Sequence, residues 1–252
     1  MKRFYYEDAE EPWRPDEILR KYVKAWPQRH GDTEPEGKAL DLGMGYGRNA
    51  LWLAQQGHSV EGWEKDRRYV REARQEARRR GVRLRIRRGD FARAKLRGKY
   101  DVVVISQALH QVKRSAALRV LKRAKKALAP GGRLFLLAKL TSDRHIQRVK
   151  RDPAWTPVRG EENTWLRPLA RRRGNYHPGR PRTPQMILSA LTTREIRRAL
   201  RGLRVRHWRR VVLRSEWEDD RKVTHTVAEV VAERAKVEKR SAKYLEGGAE
   251  IG

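Results

Sequence analysis

The stretch DLGMGYGRN (Asp41 to Asn49) places glycines at Gly43, Gly45 and Gly47. Glycine enters left-handed backbone conformations and carries no side chain, so alternate glycines let a chain turn sharply and let a ligand approach main-chain amides. Acids follow where later apolar runs end. Glu64 can accept hydrogen bonds from both hydroxyls of a ribose. Asp90 can take an exocyclic amino group while Phe91 covers the ring, although an aspartate there also reads as a helix N-cap. Ser106, Gln107 and His110 place polar side chains after a further apolar run. These are means of gripping a nucleoside. Two other nucleotide sites are excluded by spacing: a dinucleotide fingerprint needs glycine where Arg48 stands, and no Gly-Lys-Ser/Thr of a phosphate-binding loop follows.

Such residues need a scaffold, and the chain supplies alternating strands and helices from Lys38 onward. Short apolar strands are expected at Ala39 to Leu42, His58 to Glu64, Val82 to Asp90, Lys99 to Ser106 and Arg133 to Lys139. Helices between them are closed by Gly57, Gly81 and the APGG of Ala129 to Gly132. In VRLRIRRGD, Val82, Leu84 and Ile86 face one way and Arg83, Arg85 and Arg87 the other, the pattern of an edge strand with one wet face. KYDVVVIS is apolar throughout from Val102 to Ile105, as a central parallel strand requires. Strand–helix alternation implies a doubly wound α/β sheet, in which ligands bind beyond the carboxyl ends of the strands. The candidate residues all fall at those ends.

Three segments depart from the alternation. Residues 1–37 form an approach segment with a helix over Asp16 to Trp26, capped by Asp16. Residues 140–192 hold six of the eleven prolines, with Arg171, Arg172 and Arg173 consecutive and Trp155, Trp165, Tyr176 and His177 scattered among them. This reads as an irregular basic insertion, a lid or a recognition element. The principal domain spans 38–234, closing with a helix at Thr192 to Gly202 and strands at Leu203 to Arg214 and His225 to Arg234. A fraying tail follows over 235–252.

The 252 residues carry a net charge of +30 and no cysteine. Disulfides, thiolate nucleophiles and cysteine-ligated zinc are thereby excluded, and the pattern names no other metal site. The charge fits a polyanionic partner such as RNA, and equally an arginine-rich compositional bias. MKRFYYEDAEE has no apolar core of a secretory signal, and no apolar run nears the ~20 residues of a membrane span. A cytoplasmic location without membrane partners is expected, with the oligomeric state open.

The stretches ALDLGMGYGRN, SVEGWE, RRGDF, YDVVVISQALHQV and LAPGGRLFLL, in this order and spacing, resemble the class I S-adenosylmethionine (SAM)-dependent methyltransferases. GRNALWLAQQGHSVEGWEKD is most similar to the tellurite-resistance type. The resemblance implies a Rossmann-like seven-stranded sheet, mostly parallel, with one antiparallel strand supplied by the final hairpin. It also implies SAM as cofactor. Asp41, Gly43, Gly45 and Gly47 would cradle the methionine part, Glu64 the ribose, Asp90 and Phe91 the adenine, and Ser106 and Gln107 the far wall. Glu64 departs from the commoner aspartate. Methyl transfer from a sulfonium needs alignment, and a base only where the acceptor carries a proton. His110 is the candidate base or acceptor-orienting residue. Arg48, which could neutralise an oxyanion, Tyr176 and His177 are substrate candidates.

Three functions stay open: methyl transfer to a small molecule such as an oxyanion or another heteroatom nucleophile, methyl transfer to RNA, or non-catalytic binding of SAM or nucleic acid. RNA action predicts one continuous positive surface running from the insertion and the Arg83/Arg85/Arg87 strand to the pocket, with Trp155, Trp165 or Tyr176 stacking on a base. The missing Asn-Pro-Pro-aromatic motif argues against exposed adenine amino groups as acceptors. The missing cysteine excludes the cysteine-dependent pyrimidine route.

Overall fold

Apolar strands with both faces covered must lie in the middle of a sheet, and the pattern of burial follows that rule. The computed structural model describes residues 13–24, 37–168, 185–218 and 221–236. Its main sheet is built from β1 (Lys38–Leu42), β2 (Ser59–Glu64), β3 (Leu84–Arg88), β4 (Tyr100–Ser106), β5 (Leu128–Lys139), β9 (Arg204–Glu218) and β10 (Arg221–Glu233). The strand order is β3-β2-β1-β4-β5-β10-β9. β10 runs antiparallel to both neighbours, and the other pairs are parallel. This is the expected doubly wound sheet of seven strands with one antiparallel member. β4 is buried at Val102, Val103, Val104 and Ile105, whereas edge strand β3 alternates half-buried and exposed residues.

Alternate residues of β4 serve opposite faces. Val103 and Ile105 pack with Leu134 and Leu136 against Ala117, Val120, Leu121 and Ala124 of α4 (Arg114–Ala127) and Ile196 of α6 (Thr193–Ala199). Val102 and Val104 pack with Phe135 against Ala50 and Leu53 of α2 (Arg48–Gln55) and against α1 (Glu17–Lys24). α1 is therefore a working part of the core through Ile18, Leu19 and Val23. Asp16 spends its carboxylate on the Arg48 and Asn49 side chains, at 2.5 and 2.8 Å. α3 (Arg67–Arg79), capped by Asp66, covers the β2–β3 flank. β5 begins earlier than the APGG stop suggests. The strand already pairs at Leu128 and shifts register before Arg133, so the glycines form an irregularity inside it.

The expectation of an irregular insertion is corrected. Within 140–192 lie α5 (Arg144–Val149), β6 (Thr156–Pro157), β7 (Thr164–Pro168) and β8 (Gln185–Ser189), the strands forming an antiparallel sheet in the order β6-β7-β8. Pro157 and Pro168 sit at strand ends, where no ladder hydrogen bond is lost. Trp155 and Trp165 form a small core with Ile146, Val149, Leu188 and Ala190. Their relative exposures of 7% and 6% remove both rings from any base-stacking surface. Tyr176, His177 and Arg171 to Arg173 lie outside the described residues, as does the tail beyond 236. No helix among the described residues is long and apolar enough to cross a membrane.

Removing Trp165 should melt this small core and leave the main sheet standing. Trp165→Ala is expected to cost about 3–5 kcal/mol locally. Limited proteolysis should then cut within 140–192 well before the main domain is attacked. Uniform digestion along the chain would show that the small core is not a separate unit.

Candidate active site

In a doubly wound sheet the strand order reverses where β1 has β2 on one side and β4 on the other, and a crevice opens beyond their carboxyl ends. The glycine loop leaves β1 at this point. Gly43, Gly45 and Gly47 all adopt positive φ, at 76°, 56° and 89°. A Cβ on Gly43 would lie 2.5 Å from that of Ala108 and 3.3 Å from the Phe91 ring, so only glycine fits. Gly45 differs: a Cβ there would meet nothing within 4 Å, so open space borders the backbone where a ligand needs to approach. Gly43 and Met44 both donate N–H to the Trp63 carbonyl, at 2.9 and 3.0 Å. The Met44 sulfur lies 2.2 Å from the place a Cβ on Gly62 would occupy. Gly62 thus seats the loop on β2, a role that sequence spacing did not single out.

Glu64 ties the loop to the tip of β2. Its carboxylate accepts from the backbone N–H of Gly45 at 3.0 Å, Lys65 at 2.7 Å and Asp66 at 2.9 Å. A carboxylate offers about four acceptor positions, so capacity for about one further hydrogen bond remains. Asp90 caps the turn at Phe91–Arg93 by accepting from Ala92 N–H at 2.8 Å. Phe91 is buried, its ring against Gly43. Gln107 takes φ 49°, rare for a residue with a side chain, and donates its N–H to the Leu137 carbonyl as the chain leaves β4. Arg48 is held by the Arg14 carbonyl, Asp16 and the Ser106 hydroxyl.

Asp41 is almost fully buried, and its Oδ2 has no hydrogen-bond partner. Burial, helped by the charges of Asp16 and Glu64, pushes its carboxyl up to about 7 against the pull of Arg48 and the Ala50 N–H. An orphaned acceptor beside an open glycine backbone fits the ammonium of an amino-acid-like ligand.

Beyond β4 and β5 the structure gathers residues that sequence reading had not connected. Lys139 ends β5, Asp143 caps α5, His145 follows it, and His225 lies in β10. Lys139 Nζ is 2.8 Å from His225 Nδ1, 3.4 Å from His145 Nδ1 and 3.9 Å from Asp143 Oδ1. Lys139 Nζ lies within hydrogen-bond reach of both Nδ1 atoms, and each ring's tautomer sets which partner donates. Asp143 and the two histidines have ligand atoms within 4.8 Å of one another, a spacing that suits a cation. Here the Lys139 ammonium is the cation they surround. Burial opposes ionisation of Asp143, but His225, Lys139 and the Thr226 N–H hold its carboxyl below the ordinary value.

His110 stands beside this group, in the turn Leu109–Gln111. Burial, then the charges of Lys139, His225 and His145, hold its imidazole well below 6.5, so it is neutral at pH 7. The insertion braces the same region. Ser189 Oγ bonds the Val112 carbonyl at 2.7 Å, and Thr164 accepts from Arg114 N–H at 3.2 Å. Glu161 accepts from Ser115 N–H at 2.9 Å, supplying the cap that Lys113 does not give α4. No local pattern could have announced the Lys139 group, because Lys139 and His225 are 86 residues apart.

The fold and the loop define a doubly wound α/β protein with a glycine loop at the switch point of its sheet. Residues 39–132 match the family model described as a methyltransferase domain. Over 105 residues the chain is 31% identical to ribosomal RNA small subunit methyltransferase C of Alcanivorax borkumensis, covering 40% of this chain and 32% of that protein. The chain thus spans about a third of the length of this curated relative. Among solved structures, TehB from Haemophilus influenzae superposes with a TM-score of 0.61 at 16% identity, covering 86% of this chain and 61% of that one. Magnesium protoporphyrin IX methyltransferase from Synechocystis PCC 6803, with bound SAH, gives 0.57 at 18% identity, covering 86% and 80%. Residues 39–132 thus resemble a methyltransferase domain, and the chain shares the fold of these solved methyltransferase structures.

The raised carboxyl of Asp41 has a consequence for stability. The native state holds a proton that the unfolded chain releases near 4, so Asp41 lowers stability as pH rises from about 4 to about 7. Asp41→Asn removes this cost. The variant should be more stable at pH 8 by roughly 2–4 kcal/mol and little changed at pH 4, as read by urea unfolding. Equal effects at both values would contradict the assignment.

Proposed function

We propose that the chain is a SAM-dependent methyltransferase acting on a small molecule through a protonated heteroatom, most simply a hydroxyl. The observation carrying this reading is His110: a neutral imidazole beyond β4, beside the Lys139 group, in a region braced by the ordered insertion. The insertion braces the His110 side of the sheet through Ser189, Thr164 and Glu161, and a neutral imidazole is the form that takes a proton.

When bound, SAM supplies an activated methyl group on a sulfonium. Asp41, with its orphaned Oδ2, would accept from the cofactor's amino group, and the backbone of Gly43, Gly45 and Gly47 would border its methionine part. Glu64 would take a ribose hydroxyl, Asp90 and Phe91 would border the adenine, and Ser106 and Gln107 would close the far side. Arg48, already paired with Asp16, would brace Ser106. His110 would take the acceptor's proton, with Lys139 and His145 orienting the acceptor and excluding water.

RNA as the acceptor is the second reading, favoured by the likeness to the ribosomal RNA methyltransferase. The charge layout gives it less support. Arg85 and Arg87 both lie within 4 Å of Glu61, and β3 is separated from β4 by β2 and β1.

Two outcomes test the proposal. SAM affinity should rise about tenfold per pH unit up to about 7 and then level off, because the cofactor's ammonium favours ionised Asp41. Calorimetry on Asp41→Asn should show weak binding without that slope. Incubation with methyl-labelled SAM and a metabolite extract should place label in a small acceptor. His110→Gln should then lose about 10²–10⁴-fold in kcat with unchanged SAM affinity. Label appearing in total RNA instead would sink the small-acceptor reading and leave the methyltransferase one intact.

A further inference from the structure

A concentration of unneutralised charge lies away from the acceptor side, on α3. Arg67, Arg71, Arg74 and Arg78 recur at intervals of three and four residues and so share one face of the helix. With Arg68 and with Arg88 at the end of β3 they line a groove of about 830 Å³. Its one acid is Asp66, whose carboxylate is occupied in capping α3 through the Arg68 N–H at 2.7 Å. Of the nearby acids, Glu76 takes Arg79 and Arg80 and Glu61 takes Arg85 and Arg87, while Glu72 of α3 lies outside the groove's lining. Among the described residues, Arg67, Arg71, Arg74, Arg78 and Arg88 make no ion pair, and all five are exposed. Like charges three and four apart repel along a helix, so the stripe weakens α3 unless a partner supplies the opposite charge.

We propose that this groove docks the phosphodiester backbone of a single nucleic-acid strand, RNA or DNA, whatever the methyl acceptor is. Guanidinium groups match phosphate oxygens bidentately. Four arginines spread over twelve residues extend about 16 Å, which spans several phosphates. At the helix start Arg68 lies 5.0 Å over the Tyr69 ring, which is 4.3 Å from that of Tyr46. Neither ring lines the groove, so the docking rests on the match of guanidinium groups to phosphates and uses no base stacking. A lipid surface is disfavoured because an interfacial helix needs an exposed apolar face. Val70 is buried, and the large exposed hydrophobics among the described residues are Met186, Val205 and Val212, none on α3. β1 stands between β2 and β4, so a strand in this groove passes the flank of the crevice and not His110.

The test is fluorescence anisotropy of the full-length protein with fluorescein-labelled oligo(U) and oligo(dT) of about twelve nucleotides, without SAM, at several salt concentrations. The triple variant Arg71→Gln, Arg74→Gln, Arg78→Gln should weaken binding at least about tenfold and flatten the salt dependence by about two charges. SAM binding by calorimetry should be unchanged, which also certifies folding. The charge-matched control Arg204→Gln, Arg209→Gln, Arg210→Gln, on exposed β9 positions, should change affinity less than about threefold. Preference for oligo(U) over oligo(dT), or the reverse, identifies the strand type. Equal losses in the two triple variants would overturn the proposal in favour of diffuse charge. Absence of oligonucleotide binding, or variant-sensitive binding only to phosphatidylserine vesicles, would overturn it outright. Failure of methyl transfer to any acceptor leaves this measurement untouched.

Discussion

The hydrogen bonds that gather on Glu64 hold the site together. A left-handed run of backbone has no regular ladder to join, so its N–H groups need partners from elsewhere. The Glu64 carboxylate gives one to Gly45 and also closes the turn after β2 through Lys65 and Asp66. The Trp63 carbonyl takes two more loop amides. Loop, β2 tip and the start of α3 are thereby one rigid piece. The crevice edge can stay open at Gly45 because the backbone around it is fixed by β2.

On the far side of the crevice, order comes from charge as much as from packing. A buried lysine beside one carboxylate and two imidazoles is stable only while its polar hydrogens find acceptors. Asp143 links that group to α5 and to β10 by accepting from His145, Ile146 and Thr226 N–H. The insertion is therefore anchored at both margins: by Asp143 beside β10, and by Glu161, Thr164 and Ser189 at the start of α4.

Much of this was legible in the sequence, and the limits have physical causes. Strand order, the hairpin and the glycine loop follow from periodicity and turn residues, which are local signals. Val102 to Ile105 could only be a central strand, and Arg83 to Arg87 only an edge. The insertion was misread because its strands are short and its apolar residues sparse, so Trp155 and Trp165 looked like isolated aromatics. Their burial depends on pairing such as Trp165 with Leu188, which no window along the chain displays. The turn that holds His110 after β4 was legible from the apolar run before it, whereas the role given to His110 is a proposal. The Lys139–His225 contact was not legible, because it is made by folding alone. Asp16 illustrates a local rule overridden by tertiary contacts: it stands at a cap position but serves α2.

Glu161 carries an implication for how proteins of this fold diversify. Because this acid completes the first turn of a core helix, the appended subdomain cannot be exchanged as a passive ornament. Any transplanted replacement would have to bring its own acceptor for the Ser115 amide, or the host scaffold would inherit a frayed helix. Recombination at this junction is thereby constrained by the chemistry of one hydrogen bond, and lineages that swap the subdomain should swap the start of α4 along with it.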